Sequence, residues 1–334
     1  MTRPPRTPSF RITRRQGLVG AAASIFALTA GRALAQAPLE PAALKARVEA
    51  GELPPVAERL PQEPLVVDLP AKGREFGRAG GRLRTIFTRA RDVRYMVVYG
   101  YARLVGFDQN YELTPDILRD VTVEDGRIFT LHLRKGHKWS DGAPFTTEDF
   151  RYWWEDVANN EQLVPAGPPA LLLVDGEAPT VTVVSETEIR FEWSAPNPRF
   201  LPALAQARPP FIYRPSHFMK QYHEAYTDKD ALADMLRRTR SRNWAQLHNK
   251  LDNMYDFDNP ELPTLQPWIN TTEPNGQRYI LARNPYYHRV DAKGVQLPYI
   301  DEVEAEIAAA GLVASKVTLG EADLLDLLQK QHQR

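Results

Sequence analysis

Apolar, β-branched-containing runs over 121–123 and 128–133 flank Glu124-Asp125-Gly126-Arg127, which predicts a hairpin, because Asp-Gly supplies the turn such strands need. Residues 180–184 and 188–193 repeat the pattern across Ser185-Glu186-Thr187. Between them, Thr146-Thr147-Glu148-Asp149 reads as a capping box, opening a helix over 148–158 that carries Phe150, Trp153, Trp154 and Val157. Gly80-Gly81 opens an expected strand at 82–87, and further strands are expected at 277–283 and 303–307. Helices are expected at 42–50, 95–104, 200–207, 216–222, 230–240 and 312–328, the last running through Gly320-Glu321-Ala322-Asp323. Strands and helices mix without a clean βαβ alternation, so the class is α/β, of the mixed α+β kind.

The chain has 334 residues, 43% hydrophobic and 10% aromatic, enough to bury a large core and to form two domains. Lys+Arg and Asp+Glu each number 42, but the charge is unevenly placed. Residues 1–35 hold six Arg (Arg3, Arg6, Arg11, Arg14, Arg15, Arg32) and no acid, leaving 36 basic and 42 acidic residues from Gln36 onward. An acidic body gives no footprint for nucleic acid, and the run Arg237, Arg238, Arg240, Arg242 is explained by a helix end, where the dipole favours cations. There is no Cys, which excludes thiol nucleophiles, zinc-thiolate sites, disulfides and a lipid-modified cysteine.

The leader Thr13-Arg14-Arg15-Gln16-Gly17-Leu18 precedes a short Ala- and Gly-rich apolar stretch, and Ala33-Leu34-Ala35 offers the small-x-small pattern that a signal peptidase accepts. Residues 1–35 resemble a twin-arginine export signal, with cleavage expected after Ala35; an ordinary secretory leader is the alternative. No later stretch reaches the roughly 18 apolar residues of a membrane helix. Residues 36–77 contain seven Pro between Pro38 and Pro70 and read as an arm lying on the fold.

Motifs for chemistry are sparse. His132 and His137 sit across a strand and its turn, and His217 and His223 are spaced for different helical faces, so neither pair forms a zinc motif. No Gly-x-Ser-x-Gly elbow, phosphate-cradling loop or Ser-x-x-Lys is present, and no metal or cofactor is expected. The many carboxylates leave a glycosidase-type pair open.

From Leu131 to Phe150 the chain, including Lys138-Trp139-Ser140-Asp141-Gly142 and Thr146-Thr147-Glu148-Asp149, resembles the family 5 extracellular solute-binding proteins, the dipeptide, oligopeptide and nickel receptors of ABC importers. Collinear matches are Leu113-Thr114-Pro115-Asp116, Arg214-Pro215-Ser216-His217-Phe218, Asn284-Pro285-Tyr286-Tyr287, Leu297-Pro298-Tyr299-Ile300-Asp301 and Gly320-Glu321-Ala322-Asp323-Leu324. The resemblance implies a type II periplasmic-binding-protein-like fold of two lobes that hinge shut on a solute. It assigns 78–110 and 205–334 to the first lobe and 111–204 to an inserted subdomain. The second lobe is missing, so a truncated receptor is expected.

The implied protein is a monomeric periplasmic receptor, not an enzyme, that hands a small peptide or similarly sized polar solute to an inner-membrane ABC permease. Expected ligand contacts are Arg89, Arg91 and Asp92 for charged ends, Tyr95 and Tyr99 for apolar parts, and Trp268 near the cleft. A periplasmic hydrolase and a non-binding remnant are the alternatives.

Overall fold

The computed structural model describes residues 25–29, 37–255, 259–272 and 276–324. Arg14, Arg15, Ala33 and Ala35 lie outside the described residues. Two sheets organise the body. The first has strand order Trp268–Asn270, Arg278–Arg283, Glu302–Ile307, Arg82–Phe87. Its first two junctions are antiparallel, and Glu302–Ile307 runs parallel to Arg82–Phe87. Alternation explains its two faces: Val303 and Ala305 turn inward with Tyr279, Leu281, Phe87 and Met96, while Glu302 and Glu304 point out to Arg82.

The second sheet is antiparallel throughout, in the order Ile25–Thr29, Leu118–Glu124, Ile128–Leu133, Glu188–Glu192, Thr180–Ser185. Its first hairpin turns at Asp125 (φ 53°) and Gly126 (φ 67°), the two positive angles of a type I′ turn. Phe129, Phe191, Trp193 and Phe200 pack together above it, with ring centroids 4.9 to 6.3 Å apart.

The capping box forms: Thr146 Oγ1 accepts from Glu148 N–H at 3.3 Å, and Thr146 N–H donates to Asp149 Oδ2 at 3.0 Å. Buried Asp149 also accepts from the Trp139 indole (3.1 Å), Ser216 N–H (2.9 Å) and Ser216 Oγ (2.8 Å), so a local cap becomes a tertiary knot. The helix it opens is α only over Thr147–Arg151 and widens to a π-helix over Tyr152–Ala158, which buries Tyr152, Trp153 and Val157.

Other expected elements are shorter. The helix from Tyr95 stops at Gly100 because Tyr101 takes a left-handed conformation (φ 44°), and the helix from Phe200 stops at Leu204. The tail helix spans Ala310–Thr318; Gly320 (φ 74°) then turns the chain back, and Asp323 N–H donates to Arg84 O at 2.8 Å beside the first strand. Residues 325–328 of that expected helix lie outside the described residues.

The arm is built into the body instead of lying on it. Leu65–Val67 pairs in parallel with Arg289–Asp291, and Arg59, fully buried, donates to Glu40 Oε1 (2.7 Å) and Pro285 O (2.9 Å). Among the described residues no helix is long and apolar enough to cross a membrane.

Candidate functional site

Arg82–Phe87 and Glu302–Ile307 end on the same side, and the chain leaves Phe87 through a 3₁₀ turn, Ala90–Arg94, into the helix Tyr95–Gly100. Beside that helix lies a small open cleft lined by Met96, Val97, Leu262, Gln266, Trp268 and Asn270 among others; Trp268 pairs with Arg283 and so lies level with the amino ends of the parallel strands.

Local chemistry shapes this cleft. Gly100 lets the helix meet the opposite wall, since a Cβ there would lie 2.8 Å from Pro267 Cδ. Gln266 donates through Nε2 to Ala102 O (3.1 Å), and its backbone carbonyl accepts from Asn284 Nδ2 (2.9 Å). Trp268 is half-buried: its indole N–H donates to Ile300 O at 3.2 Å, and its ring packs on the core of the first sheet. The floor is thus fixed by hydrogen bonds and the walls are largely apolar, the combination that small-molecule clefts use.

Of the residues expected from the sequence, Trp268 lines the cleft. Arg89 and buried Asp92 pair with each other at 3.4 Å, which neutralises both, and Arg91 is exposed with no hydrogen bond or ion pair among the described residues. Tyr95 stacks 6.4 Å from Phe87 and has two guanidiniums over its ring, Arg208 at 5.5 Å and Arg94 at 5.9 Å. Tyr99 is 39% exposed on the same helix.

The sequence reading missed Met96, Val97, Leu262 and Gln266, although Pro263 and Pro267, which flank the last, signalled a fixed irregular wall. It also missed Arg208, whose approach to Tyr95 is purely tertiary.

A second concentration of polar groups is buried. Asp116 accepts from Arg289 Nε (2.9 Å), His288 Nε2 (2.9 Å) and the Arg103 backbone N–H (2.9 Å). Burial pushes its carboxyl up, but Arg289 and His288 outweigh this and hold it well below the usual carboxylate range. Burial pushes His288 down to about 4, and burial beside His288 pushes His137 well below the ordinary histidine value. This cluster joins the first hairpin to the segment linking the strands Arg278–Arg283 and Glu302–Ile307; Asp116, His288 and His137 are buried and Arg289 is partly buried, so its role is architectural.

The remaining described histidines are partnered: His132 by Thr122 (2.9 Å) and Glu188 (3.1 Å), His217 by Asp141 (2.7 Å), His223 by Asp156 O (3.1 Å) and His248 by Tyr152 Oη (2.7 Å). Among the described residues no group of three or more His, Asp or Glu has the arrangement of a metal site.

Residues 112–332 match the family of bacterial extracellular solute-binding proteins, family 5 (middle portion), and the chain belongs to this family. It is a family of binding proteins, not enzymes, which removes the hydrolase alternative. The periplasmic alpha-galactoside-binding protein of Rhizobium meliloti is 27% identical over 307 residues, covering 85% of this chain and 41% of that protein. Among solved structures, an oligopeptide-binding protein OppA superposes with a TM-score of 0.77 at 34% identity, over 86% of this chain and 44% of that one. MelB of Agrobacterium fabrum C58, solved with stachyose, superposes with a TM-score of 0.69 at 26% identity, over 92% and 47%. The fold is therefore the mixed α/β fold of periplasmic binding proteins, and the chain spans less than half the length of these relatives.

Proposed function

We propose that this chain carries the solute-facing surface of a periplasmic receptor for an ABC importer, which takes up a peptide or similarly sized polar solute and delivers it to an inner-membrane permease. The observation that carries the reading is the cleft between helix Tyr95–Gly100 and Trp268, beside the core of the first sheet, in a chain of this family. Residues 78–110 and 205–334 make the first lobe and 111–204 the inserted subdomain. Residues 1–35 direct export by the twin-arginine route.

The relatives named above bind solutes of two classes, alpha-galactosides and oligopeptides, and a cleft with an aromatic wall and fixed amides suits either. Calorimetric titration of the chain with short peptides and with raffinose-type galactosides, followed by recovery of the ligand, tests the reading. Saturable binding with the ligand returned unchanged supports it. Absence of binding to both classes contradicts it.

A further inference from the structure

The loop that carries Arg208 is held with unusual firmness for an exposed segment. Arg103, with no exposed surface, donates to the carbonyls of Gln206 (3.0 Å) and Ala207 on one side and of Val97 (3.1 Å) on the other. Tyr255 Oη donates to Pro209 O at 2.8 Å. One buried guanidinium therefore fixes the Arg208 loop against the helix that begins at Tyr95. Its own charge is spent on carbonyl oxygens, which leaves Arg208 free to act outward.

Arg94 and Arg208 then meet at one aromatic ring, each guanidinium within 6 Å of the Tyr95 centroid. Among the described residues neither has a hydrogen bond or an ion pair, and the Arg94 Nε is buried without a partner. The one acid of the neighbouring turn, Asp92, is already engaged by Arg89. Two guanidiniums placed around a ring with no carboxylate repel each other. An oxyanion relieves the repulsion, since a guanidinium binds one through paired N–H donors while the ring supports the cation from its face.

We propose that Arg94 and Arg208, both set against the Tyr95 ring, form an oxyanion-receiving site beside the helix Tyr95–Gly100, whose Met96 and Val97 line the solute cleft. Its ligand is a carboxylate at one end of the imported solute or a free inorganic oxyanion. The inference rests on the receptor reading only for the first of these sources.

The test uses the full chain and inorganic phosphate, read through the arginine side-chain Nε–Hε resonances. The Arg94 and Arg208 signals are expected to shift together and saturate at a phosphate concentration at least tenfold lower than any exposed arginine such as Arg240. The double variant R94Q/R208Q, confirmed folded by circular dichroism, is expected to lose this response, and R240Q to keep it. Trialanine and trialaninamide separate the sources: a tenfold preference for the free acid that the double variant abolishes assigns the oxyanion to the solute, and equal affinity with phosphate still held assigns it to a free anion. Silence of Arg94 and Arg208 toward phosphate and trialanine overturns the site, whatever neutral solute binds. Phosphate binding without any solute leaves the site standing and overturns the receptor reading instead.

Discussion

Arg289 grips Asp116 through two nitrogens, Nε to Oδ1 at 2.9 Å and a terminal nitrogen to Oδ2, across 173 residues of chain. The same arginine reaches Tyr101 O (2.7 Å), and Arg134 binds Asp116 O (3.1 Å) and Glu63 O (2.6 Å). The arm, the first hairpin and the segment linking the strands Arg278–Arg283 and Glu302–Ile307 thus share one buried ionic node.

Removing Asp116 leaves the Arg289 guanidinium charged, largely buried and without its carboxylate. Asp116→Ala is expected to destabilise the fold by about 3–5 kcal/mol, the cost of an uncompensated buried charge. The double variant D116N/R289M should lose less than the single one, because the stranded cation is gone. Urea unfolding of the three proteins checks the order.

The node also sets an acid limit. The unfolded chain's histidine takes a proton near pH 6.5, whereas buried His288 resists until about 4. Between those values the unfolded state binds more protons, so stability is full above about pH 6.5 and falls as pH drops towards 4, by about 3 kcal/mol for this one group. Asp116, held below the usual carboxylate range despite its burial, extends the loss at lower pH. His288→Gln should flatten the slope between pH 6.5 and 4, measured as the urea midpoint against pH.

The proposed twin-arginine route would depend on the guanidinium forks of Arg14 and Arg15, which lysine does not reproduce. Replacing both with Lys should hold precursor in the cytoplasm, seen by fractionation, and the exported form should begin at Gln36. Unimpaired export of the double variant would assign the leader to the general secretory route.

Local patterns were legible in the sequence wherever the deciding atoms are neighbours. The Asp125-Gly126 turn and the Thr146–Asp149 cap follow from three or four consecutive residues, and both form as read. Elements decided by distant partners were not. The helix Trp244–Leu251 starts at an Asn243 cap, but lies just after an Arg-rich run that drew attention to charge. The arm's strand exists because Arg289–Asp291 lies beside it, and the tail helix ends early because Gly320 sends the chain to pair with Arg84.

The site divides the same way. Trp268 was reachable through the family resemblance, whereas Arg208 gains its place only when Arg103 ties its loop to Val97.

The central claim is that a solute is held against Trp268, and titration of W268A beside the parent chain tests it most directly. With whichever peptide or galactoside binds the parent, the loss of one aromatic wall is expected to weaken binding about 10- to 100-fold, about 1.4–2.8 kcal/mol, with the ligand recovered intact. Unchanged affinity in a folded W268A protein would contradict the account.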